Sequence, residues 1–263
     1  DGVNDDVDNC PTVANIPNDL KATFEFEGEY NDFSIKSSWS NLEIDASGNF
    51  YVFGSGTTYE GFQTIEKWVP GASEGVVVAG GNGIGPAANQ LNRPTDFFVD
   101  ASGNIYVVDA LNERVQKWTP GATEGITVAG GNGNGTAANQ FSNPKGIILD
   151  SLGNIYISDT KNNRVQKWAP GATEGITVAG GNGNGTAANQ LNDPNGITLD
   201  ASGNIYIADE QNHRIQKWEP GASEGITIAG LNGEGMAANQ LKRPSSIVFD
   251  SSGNLYIADA GNS

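Results

Sequence analysis

The stretch ITVAGGNGNGTAANQF, residues 126–141, is a β-branched run that opens into a glycine-rich loop. A strand followed by glycines invites a phosphate-binding reading. The dinucleotide fingerprint, however, needs G-x-G-x-x-G at the start of a helix, and the P-loop ends in Gly-Lys-Ser/Thr. No lysine follows these glycines, and Pro144 arrives before any helical apolar pattern can develop. More decisively, the stretch returns as VVVAGGNGIGPAANQL (76–91), ITVAGGNGNGTAANQL (176–191) and ITIAGLNGEGMAANQL (226–241), always at a spacing of 50 residues. One cofactor site would not be copied in phase with the whole chain. The loop belongs to a repeating structural unit, and no bound nucleotide is expected.

Aligned on D-x-x-G-N, the unit starts at Asp45, Asp100, Asp150, Asp200 and Asp250. The first interval is 55 residues, because VFGSGTTYEGFQTIEKW carries five more residues than VVDALNERVQKW. Each unit holds four short apolar runs, which in the third unit are NIYISD, NRVQKW, GITVAG and NGITLD. A period of this length with four strands per unit predicts an all-β fold, a β-propeller of four-stranded antiparallel blades. The DASGN turns supply an Asp and a glycine suited to positive φ, and PGATEG separates the third and fourth strands. Blades bury both sheet faces against neighbours, which accounts for the unbroken apolar run in NIYVVD.

The copy PNGITLDASGNIYIADEQNHRI (194–215) resembles the NHL repeat, P-x-G-I-x-V-D-x-x-G-N-I-Y-V-x-D-x-x-N-x-R-I. The resemblance extends over about 40–263 and implies a propeller that usually has six blades. Four copies and the start of a fifth imply that the parent protein continues beyond Ser263. ATFEF precedes Asp45 at the spacing of ITVAG from the next unit's Asp. Residues 22–27 are therefore expected to form a lone outer strand that completes the last blade. The domain reading is an acidic segment at 1–20 followed by the propeller at 21–263.

The chain has 263 residues and a net charge of −17. Residues 1–45 hold 11 acids and 2 bases, and residues 46–263 hold 20 acids and 12 bases. Neither part offers the basic stripe that neutralises phosphates, so nucleic acid is not an expected partner. No apolar run approaches a membrane-spanning helix, and membrane insertion is not expected. Cys10 is the single cysteine and His213 the single histidine. A Cys/His zinc site, or one built on three histidines, cannot be assembled.

The opening DGVNDDVDNCP (1–11) resembles the thrombospondin type-3 repeat, whose spaced carboxylates bind Ca²⁺. The resemblance implies Asp1, Asp5 and Asp8 as ligands, with Asn9 or a backbone carbonyl assisting, and hard oxygen donors suit that ion. Without it, the segment reads as an acidic linker. Such repeats belong to secreted and surface proteins, so the expected location is extracellular or at the cell surface.

In an up-and-down blade, the DASGN and PGATEG turns fall on one face of the disc. The D-x-x-N-x-R turns and the long GGNG loops fall on the other, where function tends to concentrate. AANQ is identical in every copy and reads as scaffold. Candidate ligand-binding residues are the positions that vary: Ile84, Asn134, Asn184 and Glu234; Arg93, Asn143, Asp193 and Arg243; Glu113, Asn163 and His213. Read without a ligand, these are solvated loop tips. Asp109 with Arg114, Asp159 with Arg164, and Asp209 with Arg214 read as structural pairs that could pin the hairpin by bidentate bonds. Gly54 and Thr64 replace that pair in the first unit. Trp68, Trp118, Trp168 and Trp218 share one phase and read as packing between blades. The two NGT sequons at 134–136 and 184–186 matter only in a glycosylating compartment.

The function expected is a non-enzymatic binding scaffold that takes a protein or carbohydrate ligand on its long-loop face. The alternative is a propeller enzyme of the lyase or lactonase type, with a Ca²⁺ held by oxygen ligands in the central channel.

Overall fold

A computed structural model describes residues 42–54 and 63–262, all within one compact unit. The expectations placed on Asp1, Asp5, Asp8, Cys10 and the strand at 22–27 lie outside the described residues, as does the insertion at 55–62.

Each four-stranded antiparallel sheet takes the last strand of one repeat unit and the first three of the next, in sequence order, so that NGITLD belongs to the blade after NIYISD, NRVQKW and GITVAG. Blade 1 comprises β1 (Leu42–Ile44), β2 (Phe50–Phe53), β3 (Thr64–Trp68) and β4 (Val76–Gly80). Blade 2 comprises β5 (Pro94–Val99), β6 (Ile105–Asp109), β7 (Arg114–Trp118) and β8 (Ile126–Gly130). Blade 3 comprises β9 (Ile147–Leu149), β10 (Ile155–Asp159), β11 (Arg164–Trp168) and β12 (Ile176–Gly180). Blade 4 comprises β13 (Pro194–Leu199), β14 (Ile205–Asp209), β15 (Arg214–Trp218) and β16 (Ile226–Ala229), and β17 (Pro244–Phe249) with β18 (Leu255–Asp259) begins a fifth. The first strands of successive blades pack on one another. The fold is an all-β propeller of four-stranded antiparallel blades.

Burial explains why the second strand of each blade reads as a mostly apolar run without polar alternation. All five residues of β6 and of β10 are buried, because neighbouring blades cover both sheet faces. The apolar clusters lie between blades. Tyr51, Phe53 and Ile65 of blade 1 pack with Phe97, Val107 and Trp118 of blade 2, and Val108, Val115 and Phe141 pack with Ile157 and Trp168 of blade 3. The outer edge is broken by a register shift between Val115 and Gln116 opposite β8, repeated in the other blades. Bulges of this kind twist an exposed edge away from further pairing.

The turn face is built by one device used five times. In blade 2 the Asp100 carboxylate accepts the backbone N–H groups of Ser102 and Asn104 at 2.9 Å each, and the Asn104 side chain at 2.7 Å. The Tyr106 hydroxyl closes the set at 3.4 Å. Partial burial alone would raise the pKa of Asp100, but these hydrogen bonds outweigh it and hold the carboxyl below its ordinary value.

Blade 1 departs from its copies at one inner-strand position. Glu43 occupies the site of Phe98, Ile148, Thr198 and Val248, each paired with the tyrosine of the following strand. Burial pushes its carboxyl from 4.5 up to about 7. The folded protein therefore holds a proton that the unfolded chain has released, so stability falls as pH rises from 4.5 toward 7 and then levels. We expect Glu43→Gln to stabilise the protein at pH 8 by up to about 3 kcal/mol, with almost no effect at pH 4. Urea unfolding at the two pH values checks this, and equal effects at both would contradict it.

Candidate loop-face site

On the opposite face, the chain between the second and third strands forms a one-turn 3₁₀ helix, where the sequence had suggested a plain hairpin turn. Ala110–Asn112, Thr160–Asn162 and Glu210–Asn212 are these turns. Each ends on a left-handed residue: Glu113, Asn163 and His213 have φ of 53°, 52° and 55°. A second left-handed residue lies where the long loop joins the next blade, at Arg93, Asn143, Asp193 and Arg243, with φ of 49–54°. These seven are the non-glycine residues with positive φ among the described residues. All seven are candidates picked from the sequence as variable positions.

The two left-handed families are fastened to each other across blade junctions. The Glu113 carboxylate accepts the backbone N–H of Asn143 at 2.9 Å, Asn163 Oδ1 accepts that of Asp193 at 3.0 Å, and His213 Nδ1 accepts that of Arg243 at 3.0 Å. Gln63 Oε1 serves Arg93 at 3.3 Å at the first junction. Each bond holds a backbone that a non-glycine residue rarely adopts, at a conformational cost of about 1 kcal/mol or more.

Each third-strand arginine grips the loop that arrives from the preceding blade. Arg114 Nε donates to Asp109 at 2.7 Å, and its terminal nitrogens donate to the carbonyls of Pro86, Ala87 and Gln90 at 2.8–3.1 Å. Arg164 and Arg214 repeat the arrangement. The bidentate fork expected from sequence is thus corrected: one N–H meets the carboxylate, and the others are spent on the loop. Asp109, Asp159 and Asp209 are fully buried. Burial drives their carboxyls above the ordinary range against the donors that each receives. The glutamine of AANQ folds back on its own loop, Gln90 Nε2 donating to Asn82 O at 2.9 Å. A glycine closes the other end, since a methyl group on Gly180 (φ 68°) would collide with the Asn163 carbonyl.

The eleven candidates therefore gather in four groups, one per junction. Ile84 and Arg93 stand at the first; Ile84 forms a parallel bridge with Leu91. At the second, Asn134 Nδ2 donates to Glu113 Oε1 at 2.8 Å, close to Asn143. Burial raises the Glu113 carboxyl, opposed by its bonds from Asn134 and Asn143. Asn163, Asn184 and Asp193 stand at the third, where Lys161 pairs with Asp193 at 2.8 Å. At the fourth, Glu234 lies 3.7 Å from both His213 Nε2 and Lys242 Nζ, beside Arg243.

Sequence reasoning missed a buried cluster beside this fourth group. Glu210 is only 6% exposed at a position that holds Ala110, Thr160 and Ala260 in the other copies. Its Oε2 accepts from Lys145 Nζ at 2.9 Å and Asn195 Nδ2 at 3.0 Å, and its Oε1 from Arg243 at 2.7 Å. Three successive blades meet on one carboxylate. Burial alone would raise its pKa, but Lys145 and Arg243 hold it below the usual range. The readable signal was the column itself, one acid among small residues, together with Lys145 among Thr95, Asn195 and Ser245. Among the described residues, no three His, Cys, Asp or Glu side chains converge as metal ligands, and no helix is long and apolar enough to cross a membrane.

A model of the NHL repeat matches residues 141–168 and 191–218. Each match runs from the end of a long loop through the first three strands of a blade. No curated protein sequence matches the chain. Among solved structures, a chain of a nidogen/laminin complex superposes with a TM-score of 0.59 at 20% identity, over 83% of this chain and 70% of that one. An auxiliary nutrient binding protein from Bacteroides ovatus gives 0.59 at 16% identity, over 86% and 57%. A catalytically inactive virginiamycin B lyase from Staphylococcus aureus with quinupristin gives 0.53 at 13% identity, over 84% and 62%. At these identities the likeness is one of fold alone, and the chain spans 57% and 62% of the last two structures' chains.

Proposed function

We propose that the chain is a non-enzymatic binding scaffold, working outside the cell or at its surface, that recognises a protein or carbohydrate on its loop face. The observation that carries this reading is the contrast between frame and tips. At each of the four junctions a side-chain acceptor holds the left-handed residue of the next loop, and at three of them an arginine grips the loop, yet the side chains presented differ: Ile and Arg; Glu and two Asn; two Asn and Asp; His, Glu and Arg. Variable side chains on rigid supports are what selective recognition requires. The buried Glu210 cluster supports the same face, because a buried charge in one copy alone is a functional-site signal. The neighbours point the same way at the level of fold, since two of the three bear names of binding or complex-forming proteins.

The second reading, a metal-dependent lyase, is favoured by the virginiamycin B lyase neighbour and would require a Ca²⁺ in the central channel. In either case a Ca²⁺ at Asp1, Asp5 and Asp8 belongs to the proposal for the segment before the propeller.

The test is a glycan array and a surface pull-down, each run with the natural chain and with Arg93→Ala/Arg243→Ala after circular dichroism has shown both to be folded. The double variant is expected to lose at least tenfold in affinity, as anchor residues do when truncated. Unchanged binding would reject the loop face as the recognition surface. A tightly held Ca²⁺ surviving exhaustive dialysis of the propeller alone would favour the lyase reading.

A further inference from the structure

Of the four junction fasteners, one is built from an imidazole, whose acceptor nitrogen is lost when it takes a proton. Gln63 and Asn163 present amide oxygens, and the Glu113 carboxyl keeps an acceptor oxygen in either protonation state. His213, the sole histidine of the chain, presents Nδ1 to the backbone N–H of Arg243 at 3.0 Å. A ring nitrogen can accept only while it carries no proton, so this bond requires neutral imidazole with its hydrogen on Nε2. Protonation places a second donor opposite the Arg243 N–H, and the bond cannot survive it.

The charges around the ring favour a defined alternative. Glu234 Oε2 stands 3.7 Å from Nε2 and attracts the cation. Lys242, 3.7 Å from the other oxygen of Glu234, opposes it weakly. The adjacent Arg214 is neutralised by Asp209 at 2.7 Å, and Arg243 by Glu210 at 2.7 Å. Arg243 sits at φ 54°, a conformation that a non-glycine residue keeps only when its surroundings hold it there.

We propose that His213 makes the junction between the fourth and fifth blades a proton-sensitive fastener: neutral imidazole holds Arg243 in place, and imidazolium turns to Glu234 and releases it. Histidine as a residue type is the natural physiological-pH switch, and protonation of this ring opens this junction and leaves the other three closed. Release of Arg243 also removes one of the two cations on Glu210, loosening the contact that joins blades 3, 4 and 5. If the loop face binds a ligand, this junction is where pH would modulate it. The inference rests on that reading only for its consequence, and its test needs no ligand.

Amide exchange read by NMR at pH 7.5 and 5.5, corrected for intrinsic exchange rates, is the direct experiment. Protection of the Arg243 amide is expected to fall about tenfold at the lower pH, the weight of one net hydrogen bond. Protection of the Asp193 amide, held by Asn163, should stay constant. In His213→Asn, which copies the third junction's non-titrating acceptor, Arg243 should be equally protected at both pH values. Equal protection in the natural chain, or the same loss in His213→Asn, would overturn the proposal. Ring ¹⁵N shifts of the natural chain give a check that needs no variant. An unprotonated Nδ1 at pH 7.5 is required, and an Nδ1–H tautomer there overturns the fastener outright.

Discussion

Replacing Arg164 by alanine is expected to destabilise the protein by about 3–5 kcal/mol, the usual consequence of orphaning one half of a buried ion pair. Asp159 is fully buried, and in the variant it keeps the N–H of Ser142 at 2.7 Å and the Asn162 amide at 2.9 Å but loses its countercharge. The carbonyls of Thr136, Ala137 and Gln140 lose their donors in the same step. The damage should therefore spread from the ion pair to the loop arriving from blade 2, visible as faster amide exchange over 131–143. Lysine cannot replace the planar fork that reaches a carboxylate and three carbonyls together, so Arg164→Lys should recover less than half of the loss. The loss should shrink as pH falls, because burial already raises the Asp159 carboxyl and protonation removes the orphaned charge. Urea unfolding measures all of this. A loss under 1 kcal/mol would mean that the arginine does not couple the blades.

Trp168→Ala is the second large effect, again about 3–5 kcal/mol for removal of a buried indole. Trp168 is 2% exposed and stands against the ring of Phe141 with centroids 5.6 Å apart. It shares a cluster with Val108 and Val115 of the preceding blade, so the cavity would open between blades and not within one. Its Nε1 also donates to the buried Gln166 Oε1 at 2.9 Å, and the truncation strands that oxygen. Trp168→Phe fills much of the volume without the donor and should lose roughly 1–2 kcal/mol, the cost of a stranded polar group and a small void. If the phenylalanine variant were as damaged as the alanine one, the hydrogen bond and not the packing would be the main contributor.

The blades were legible because short apolar runs, Asx turns and glycine punctuation are local, and each is repeated in phase. The left-handed positions were legible indirectly. A solvent-facing turn residue is free to vary, so Arg93, Asn143, Asp193 and Arg243 showed up as differences between otherwise constant copies. Contacts that cross blades were harder to read. Nothing in the sequence near Arg164 says that three of its donors serve a loop 24–28 residues upstream. Glu210 meets Lys145 from 65 residues away and Arg243 from 33, and its column was passed over because it is a small-residue position in every other copy. The difference between a tip that only faces solvent and one whose side chain fastens the next loop, such as Glu113, rests on χ angles that sequence does not specify.

The arginine grip has a consequence for how such a chain can grow. Blades 2, 3 and 4 each carry a socket for the loop of the blade before, and the socket reads only that loop's carbonyls, two of them in the shared AANQ turn, not the side chains that set one copy apart. Plug and socket therefore match among these three blades, and one of them duplicated, deleted or shuffled in a whole 50-residue step would arrive with its joint already fitted. Identity between blades can therefore drift at the tips, provided that Glu113, Asn163 and His213 are replaced only by residues that still accept the next loop's N–H.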